Sequence, residues 1–591
     1  MKKLLSLGLL LSCLHLGAVA EPVRPVHALL DQAYDELLER SPVEQTRQGL
    51  KRNLDHWDSL GPQEARERLA VLQRWSERLP ASTDRQEALS LRLFRYQLEQ
   101  ERRALPFAEY DYPINQMHGW HSEIPAFLSN AQPLGNMEEA EAYLARLRAL
   151  PEFFEQLGQA LKRRQQAGIL PPRFVFDYCL SDIDHLLQGY PLTASPEQPH
   201  PLYQDFRSKL ERTSLGDEQR QQLMDQLEQA LSQDFARAYR ELRQLLAEQR
   251  EQASDDDGVW KFPRGAEFYN LQLQQITTTE LSAEQIHQLG LREVERIQKE
   301  MRQIKERVEF NGSLVEFFEH LRSHPRYFYP NTPEGRAAYL RDATAVVDAI
   351  RPRLKDWFIT LPRAPLVVKA VESYREQSAG KAFYEAPALD GSRPGHYYAN
   401  LYDMNSMPRY QMEALAYHEA IPGHHMQISL AQELPDLPKF RRLGGFTAYV
   451  EGWGLYCEQL PKEHGFYQDV YSDFGRLNLE LFRAARLVVD TGIHQLRWTR
   501  AQALDYYLKN TPNSRRDCQK MVDRHIVMPG QATAYKVGML EILRLRERAR
   551  EQLGERFDLR EFHEVVLTHG AVPLKILEEL VEEYITRNRR P

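Results

Sequence analysis

Apolar residues recur at helical spacing along most of the chain. Leu29, Leu30, Tyr34, Leu37 and Leu38 form one stripe, and Leu69, Val71, Leu72 and Leu79 continue it, so residues 26–105 read as helical. Residues 106–136 break the pattern with Pro106, Pro113, Pro125 and Pro133 amid aromatic residues, which predicts a structured loop segment. Helix is expected again over 138–168 and over the Gln- and Arg-rich stretch 201–252, whose composition fits a solvated outer face. Ser282-x-x-Gln285 has the form of a capping box and opens a helix towards residue 309; another helix is expected over 333–350. Residues 367–371 and 396–402 are rich in β-branched and aromatic side chains and are the best strand candidates. From 409 onwards the pattern is mostly helical, and no repeat of fixed period occurs. The expected class is mainly α with a small sheet near 365–405. The acidic turn-forming run at 253–258 marks a boundary between a region 21–257 and a region 258–591. Its three adjacent Asp lack the spacing of a calcium loop and read as a surface turn.

Composition narrows the function classes. The 591 residues carry 76 Lys+Arg and 84 Asp+Glu, a net charge of −8, so no clustered basic footprint for nucleic acid is indicated. Aromatic residues are plentiful, which argues against disorder. The one long apolar run lies at the N-terminus. Lys2 and Lys3, the apolar run 4–16 and Ala18-Val19-Ala20 have the layout of a secretory signal peptide, residues 1–20. Cleavage after Ala20 would leave a chain of charge −10, since both lysines go with the signal. The rival is lipid attachment at Cys13, but Leu11 fits a lipobox poorly, so a periplasmic protein is favoured over a membrane-anchored one. The remaining cysteines, Cys179, Cys457 and Cys518, form no C-x-x-C motif and read as lone thiols with at most one disulfide.

The chemistry concentrates in 417–427, Tyr-His-Glu-Ala-Ile-Pro-Gly-His-His-Met-Gln. Zinc peptidases place two His at i and i+4 of a helix, with the Glu after the first His as general base. Here the second His stands at i+6 or i+7. In a regular helix i+6 is turned ~120° away, and i+7 lies ~10.5 Å along the axis, beyond what bonds of ~2.0–2.1 Å to one zinc allow. Pro422 would clash with the carbonyl of His418, and Gly423 relaxes the backbone, so the helix is expected to loop out here. Looping out two residues makes His424 the second ligand; looping out three makes it His425. The smaller defect favours His424. Glu451, 27 residues after His424, is the best third ligand; Glu458, on the same helical face, is the fallback or a group that orients a ligand His. A surface loop is the bland alternative. The apolar surroundings, the acidic partner and the export signal weigh against it. Phosphate-loop patterns are absent, and Ser392 has no nucleophile-elbow context.

His418-Glu419-Ala420-x-Pro422-Gly423-His424-His425-x-Gln427, followed by Glu451-Gly452-Trp453-x-Leu455-Tyr456, resembles the bacterial family catalogued as domain of unknown function 885. Segments 390–395, 490–494 and 529–535 are similar to its other motifs, and the resemblance covers most of the chain. It implies a gluzincin-like metallopeptidase clan, with carboxypeptidase Taq, thimet-type oligopeptidases and angiotensin-converting enzyme. The implied architecture is multi-helical and two-lobed, with a small β-sheet beside the active-site cleft. The expected function is an exported zinc-dependent hydrolase, most naturally a metallopeptidase of oligopeptidase or carboxypeptidase type. His418, His424 and Glu451 would hold Zn2+, and Glu419 would take a proton from the activated water and pass it to the leaving amine. By the same resemblance Tyr535 and His494 are candidate oxyanion donors. A strand at 396–402 is expected to lie at an edge where an extended peptide can pair, and Arg393, Arg483, Arg486 and Lys536 are candidate anchors for a substrate carboxylate. The rivals are a metal-dependent amidase acting on cell-wall or small amide substrates, and a binding protein that keeps the fold without catalysis.

Overall fold

In the computed structural model, residues 25–589 are described apart from 194, 195, 373–375, 377, 378, 390 and 392. The signal-peptide segment, Cys13, Asp390 and Ser392 therefore lie outside the described residues. The chain folds into a multi-helical, mainly α protein with one three-stranded sheet. Its chief core cluster runs from Val43 to Ile585 and continues through residue 258; a smaller one joins the first helices around Leu30, Leu72 and Phe94. Among the described residues no helix is long and apolar enough to cross a membrane.

Local chemistry sets the element ends. Helix α1 (Ala283–Arg307) opens on the expected box: Gln285 N donates to Ser282 Oγ at 3.2 Å and Ser282 N to Gln285 Oε1 at 2.8 Å. The stretch 106–136 departs from expectation, because Trp120–Asn130 is a helix with Pro125 inside it. Proline removes the N–H that would bond the carbonyl of His121. The buried hydroxyl of Tyr239 donates to that carbonyl instead, at 2.8 Å, a rescue from a residue 118 positions away.

The sheet also differs from the reading. Strand β1 (Leu366–Ala370) and strand β2 (Ala382–Glu385) flank β3 (Gly395–Ala399), which pairs in parallel with β1 and antiparallel with β2. The segment expected at an edge is thus the centre. Both its backbone edges are occupied, because the intervening chain folds back to supply β2, so β3 has no free edge for a peptide.

Three long helices carry the functional region: α4 (Thr447–Glu463), α5 (Val470–His494) and α6 (Ala534–Leu553). Helices α4 and α6 pack most intimately, at Gly452 against Gly538. A Cβ on Gly538 would stand 1.8 Å from the carbonyl oxygen of Ala448, so only glycine permits this approach. Helix α5, buried along nearly its whole length, packs against α1.

Candidate metal centre

The helix bearing His418 and Glu419, α2 (Met412–Glu419), stops as its sequence requires, and α3 (His424–Glu433) begins at His424. Four residues, 420–423, form the break, with a cis bond at Ile421–Pro422. The break frees the carbonyl of Pro422, which accepts from Trp453 Nε1 at 3.0 Å and from the Cys457 thiol at 3.3 Å. Both donors lie on α4, so the interruption is fastened to the helix that carries Glu451.

The result is a convergence of three side chains. One ligand atom from each of His418, His424 and Glu451 lies within 4.8 Å of the other two, the one such group among the described residues. Glu451 Oε2 is 3.5 Å from His418 Nε2 and 3.4 Å from His424 Nε2. Two atoms bound to zinc at 2.0–2.1 Å with tetrahedral angles are about 3.3 Å apart, so these separations fit ligands around one small cation. The two imidazoles stand perpendicular, with centroids 4.7 Å apart. His418 and His424 are buried, whereas the Glu451 side chain is 21% exposed and forms the open side.

Electrostatics agree with the geometry. Burial would depress His418, but the carboxylates of Glu451 and Glu458 outweigh it and raise the imidazole to about 10. Burial would raise Glu451, but His418 and His424 overcome it and hold its carboxyl well below the carboxylate range. The cluster is thus built to hold positive charge, which suits a divalent cation. Glu419 is buried, and that burial raises its carboxyl above the ordinary value while His418 and His424 pull the other way.

The neighbours have distinct places. Glu458 Oε1 lies 2.8 Å from His418 Nδ1, behind the ring and away from the convergence. Gly454 makes room for this ring: a Cβ there would stand 2.8 Å from the His418 Cε1. Neither Gly454 nor the Trp453 anchor was anticipated; the small residue inside 451–456 was the available signal. His425 is held elsewhere. Its Nε2–H donates to the carbonyl of Ala364 at 3.1 Å, and its Nδ1 accepts from the Tyr384 hydroxyl at 2.9 Å. Burial lowers it to about 4, so this ring is a neutral bridge from α3 to the sheet.

Tyr535, at the start of α6, lies against the guanidinium groups of Arg486 (4.6 Å) and Arg483 (5.9 Å); Arg483 Nη2 is 3.6 Å from Glu458. Tyr535 is therefore on the side of the triad. His494 is not, and its expected donor role is corrected. It sits 11 residues beyond Arg483 on α5, about 16 Å along the axis. Its Nδ1 accepts from Val259 N at 3.2 Å and its Nε2–H donates to the carbonyl of His525 at 2.8 Å, which leaves no nitrogen for a substrate.

Comparison with known proteins places the chain. It belongs to the family described as "Bacterial protein of unknown function (DUF885)", whose pattern matches residues 42–581. A crystal structure of a "putative lipoprotein" from Colwellia psychrerythraea is 32% identical, with a TM-score of 0.89, covering 95% of this chain and 99% of that one. A structure of a "putative lipoprotein of unknown function" from Shewanella oneidensis shares the fold at 18% identity and a TM-score of 0.72, covering 95% of this chain and 100% of that one. No curated protein matches the chain.

Proposed function

We propose that this chain is a zinc-dependent hydrolase acting on peptide bonds. One observation carries the reading: His418, His424 and Glu451 converge at 3.4–3.5 Å, and the buried Glu419 adjoins the first of them in the chain. When bound, zinc would acidify a water and polarise the scissile carbonyl. The protein supplies the rest. Glu419 takes the proton of the attacking water and returns it to the leaving amine, and its raised affinity for protons suits both steps. Glu458 fixes the His418 ring from behind. Tyr535 is the candidate donor to the developing oxyanion, because it lies with Arg483 next to the Glu458–His418 pair.

Metal content measured by plasma mass spectrometry, on untagged protein purified without added metal, tests this. About one zinc per chain is expected, absent in His418→Ala and kept in Glu419→Gln. Protein that takes up no zinc even when it is offered would sink the proposal.

Export belongs to the same reading. The Colwellia relative is described as a "putative lipoprotein", which favours lipid attachment at Cys13 over cleavage after Ala20. The mass of the mature N-terminal peptide separates the two, since one begins with a lipid-modified Cys13 and the other with unmodified Glu21.

A further inference from the structure

Four cations were candidates for binding a substrate carboxylate, and three already have carboxylate partners. Lys536 Nζ lies 2.6 Å from Glu480 Oε1 and 3.0 Å from Glu293 Oε2. Arg393 pairs with Glu385 at 3.1 Å. Arg483 has its Nη2 3.6 Å from Glu458 Oε1, an ion pair, and its Nη1 donates to the carbonyl of Leu479 at 3.3 Å. Arg486 differs. It is only 6% exposed, and its Nε and Nη1 are buried without a hydrogen-bond partner. Among the described residues no carboxylate lies within ion-pairing distance of it. Its guanidinium rests instead against Tyr535, at 4.6 Å, and Phe482, at 5.3 Å. Burial and the neighbouring Arg483 push it down to about 10.

A buried cation with unsatisfied donors is costly to the fold, and it is explained when a ligand completes it. Its position indicates which ligand. Arg486 follows Arg483 by three residues on α5, about 4.5 Å along the axis, and Arg483 touches the carboxylate that backs His418. The planar guanidinium fork matches a carboxylate in two-point contact.

We propose that Arg486 receives the free C-terminal carboxylate of the substrate, so that the enzyme removes residues from peptide C-termini. The proposal rests on the hydrolase reading for its substrate class. Peptides so held present the bond near their C-terminus to the metal side, and chains that end in an amide lose the contact.

The test uses a randomised hexapeptide library made once as free acids and once as carboxamides. Cleavage by the zinc-loaded full chain is read by mass spectrometry, and retention is read on immobilised Glu419→Gln. The acid library is expected to be cleaved and retained roughly 100-fold better than the amide library. Arg486→Met should bring the acid library down to the level of the amides, and Arg486→Lys should keep part of the preference. Because Met removes an unpaired buried charge, Arg486→Met should unfold at the same or a higher temperature than wild type, a result opposite to that of a structural arginine. Equal treatment of acids and amides by wild type, or a fall in unfolding temperature in Arg486→Met, would overturn the proposal. Arg486-dependent retention of acids without any turnover by wild type would uphold the carboxylate site and remove the hydrolase reading instead. Turnover indifferent to the C-terminus would do the reverse.

Discussion

Two buried clusters flank α5, and both join histidine to carboxylate. At Asp490 every polar atom is matched. His525 Nδ1–H donates to Asp490 Oδ2 at 2.7 Å, and His525 Nε2 accepts from the Tyr507 hydroxyl at 2.7 Å. Asp490 Oδ1 accepts from the Tyr269 hydroxyl at 2.7 Å and from Gly530 N at 2.9 Å. Read from residue types alone, Tyr–His–Asp looks like a catalytic chain. Its members are fully buried and their bonding capacity is spent, so it is a brace that ties segment 490–494 to segment 529–535. Around His418 the same residue types are arranged differently. Ligand atoms point at a shared position without bonding one another well, one carboxylate is partly open, and an arginine nearby has unmet donors. Unsatisfied atoms that converge, rather than the presence of His and Asp or Glu, separate the reactive site from the brace.

Substitutions that treat the clusters alike should expose the difference. The largest effect is expected at the open cluster. His418→Ala should lose its zinc, and Glu419→Gln should keep zinc yet lose about 1000-fold in peptide turnover. Both variants should stay folded by circular dichroism. At the brace, Asp490→Asn keeps the shape but removes the charge that the Tyr269 hydroxyl, Gly530 N and His525 use. It should lower stability by about 1–3 kcal/mol in denaturant unfolding while zinc per folded chain stays at one. Loss of zinc with unchanged stability would reverse the roles assigned to the two clusters.

A smaller effect is expected behind the ligand. Glu458→Gln should weaken zinc roughly 10–100-fold, measured by competition with a chelator, whereas His425→Ala should leave zinc affinity unchanged and lower the unfolding temperature.

The smallest effect per group concerns acid. Burial lowers His494 and His525, and pushes His563, held between the Trp357 carbonyl and the Tyr456 hydroxyl, down to about 3. These rings stay neutral when folded, so below pH 6.5 the unfolded chain binds more protons. The contribution of these three rings should be complete above pH 6.5 and fall as the pH drops towards 3, by at most about 1.4 kcal/mol per histidine per unit. An unfolding midpoint that is flat from pH 7 to 5 would contradict the neutral state of these rings.

Much of this was legible in the chain. Apolar spacing gave the mainly α class, and the Ser282–Gln285 cap fixed one helix start. The Pro–Gly break explained why His418 and His424 can meet across a spacing that no regular helix allows. These features are local, and neighbouring residues dictate them through sterics and hydrogen bonding. Other features came only from the tertiary structure. The helix at Trp120–Asn130 depends on Tyr239, far away in sequence, taking the carbonyl that Pro125 abandons. The central place of β3 depends on β2 folding back beside it. His425 differs from His424 because Tyr384 and Ala364 engage both its nitrogens, and His494 differs from Tyr535 because a long helix carries it about 16 Å past Arg483. Arg483, Arg486 and Lys536 look equivalent in sequence. Which of them keeps its donors free depends on the partners that packing brings within reach, and no local pattern encodes that.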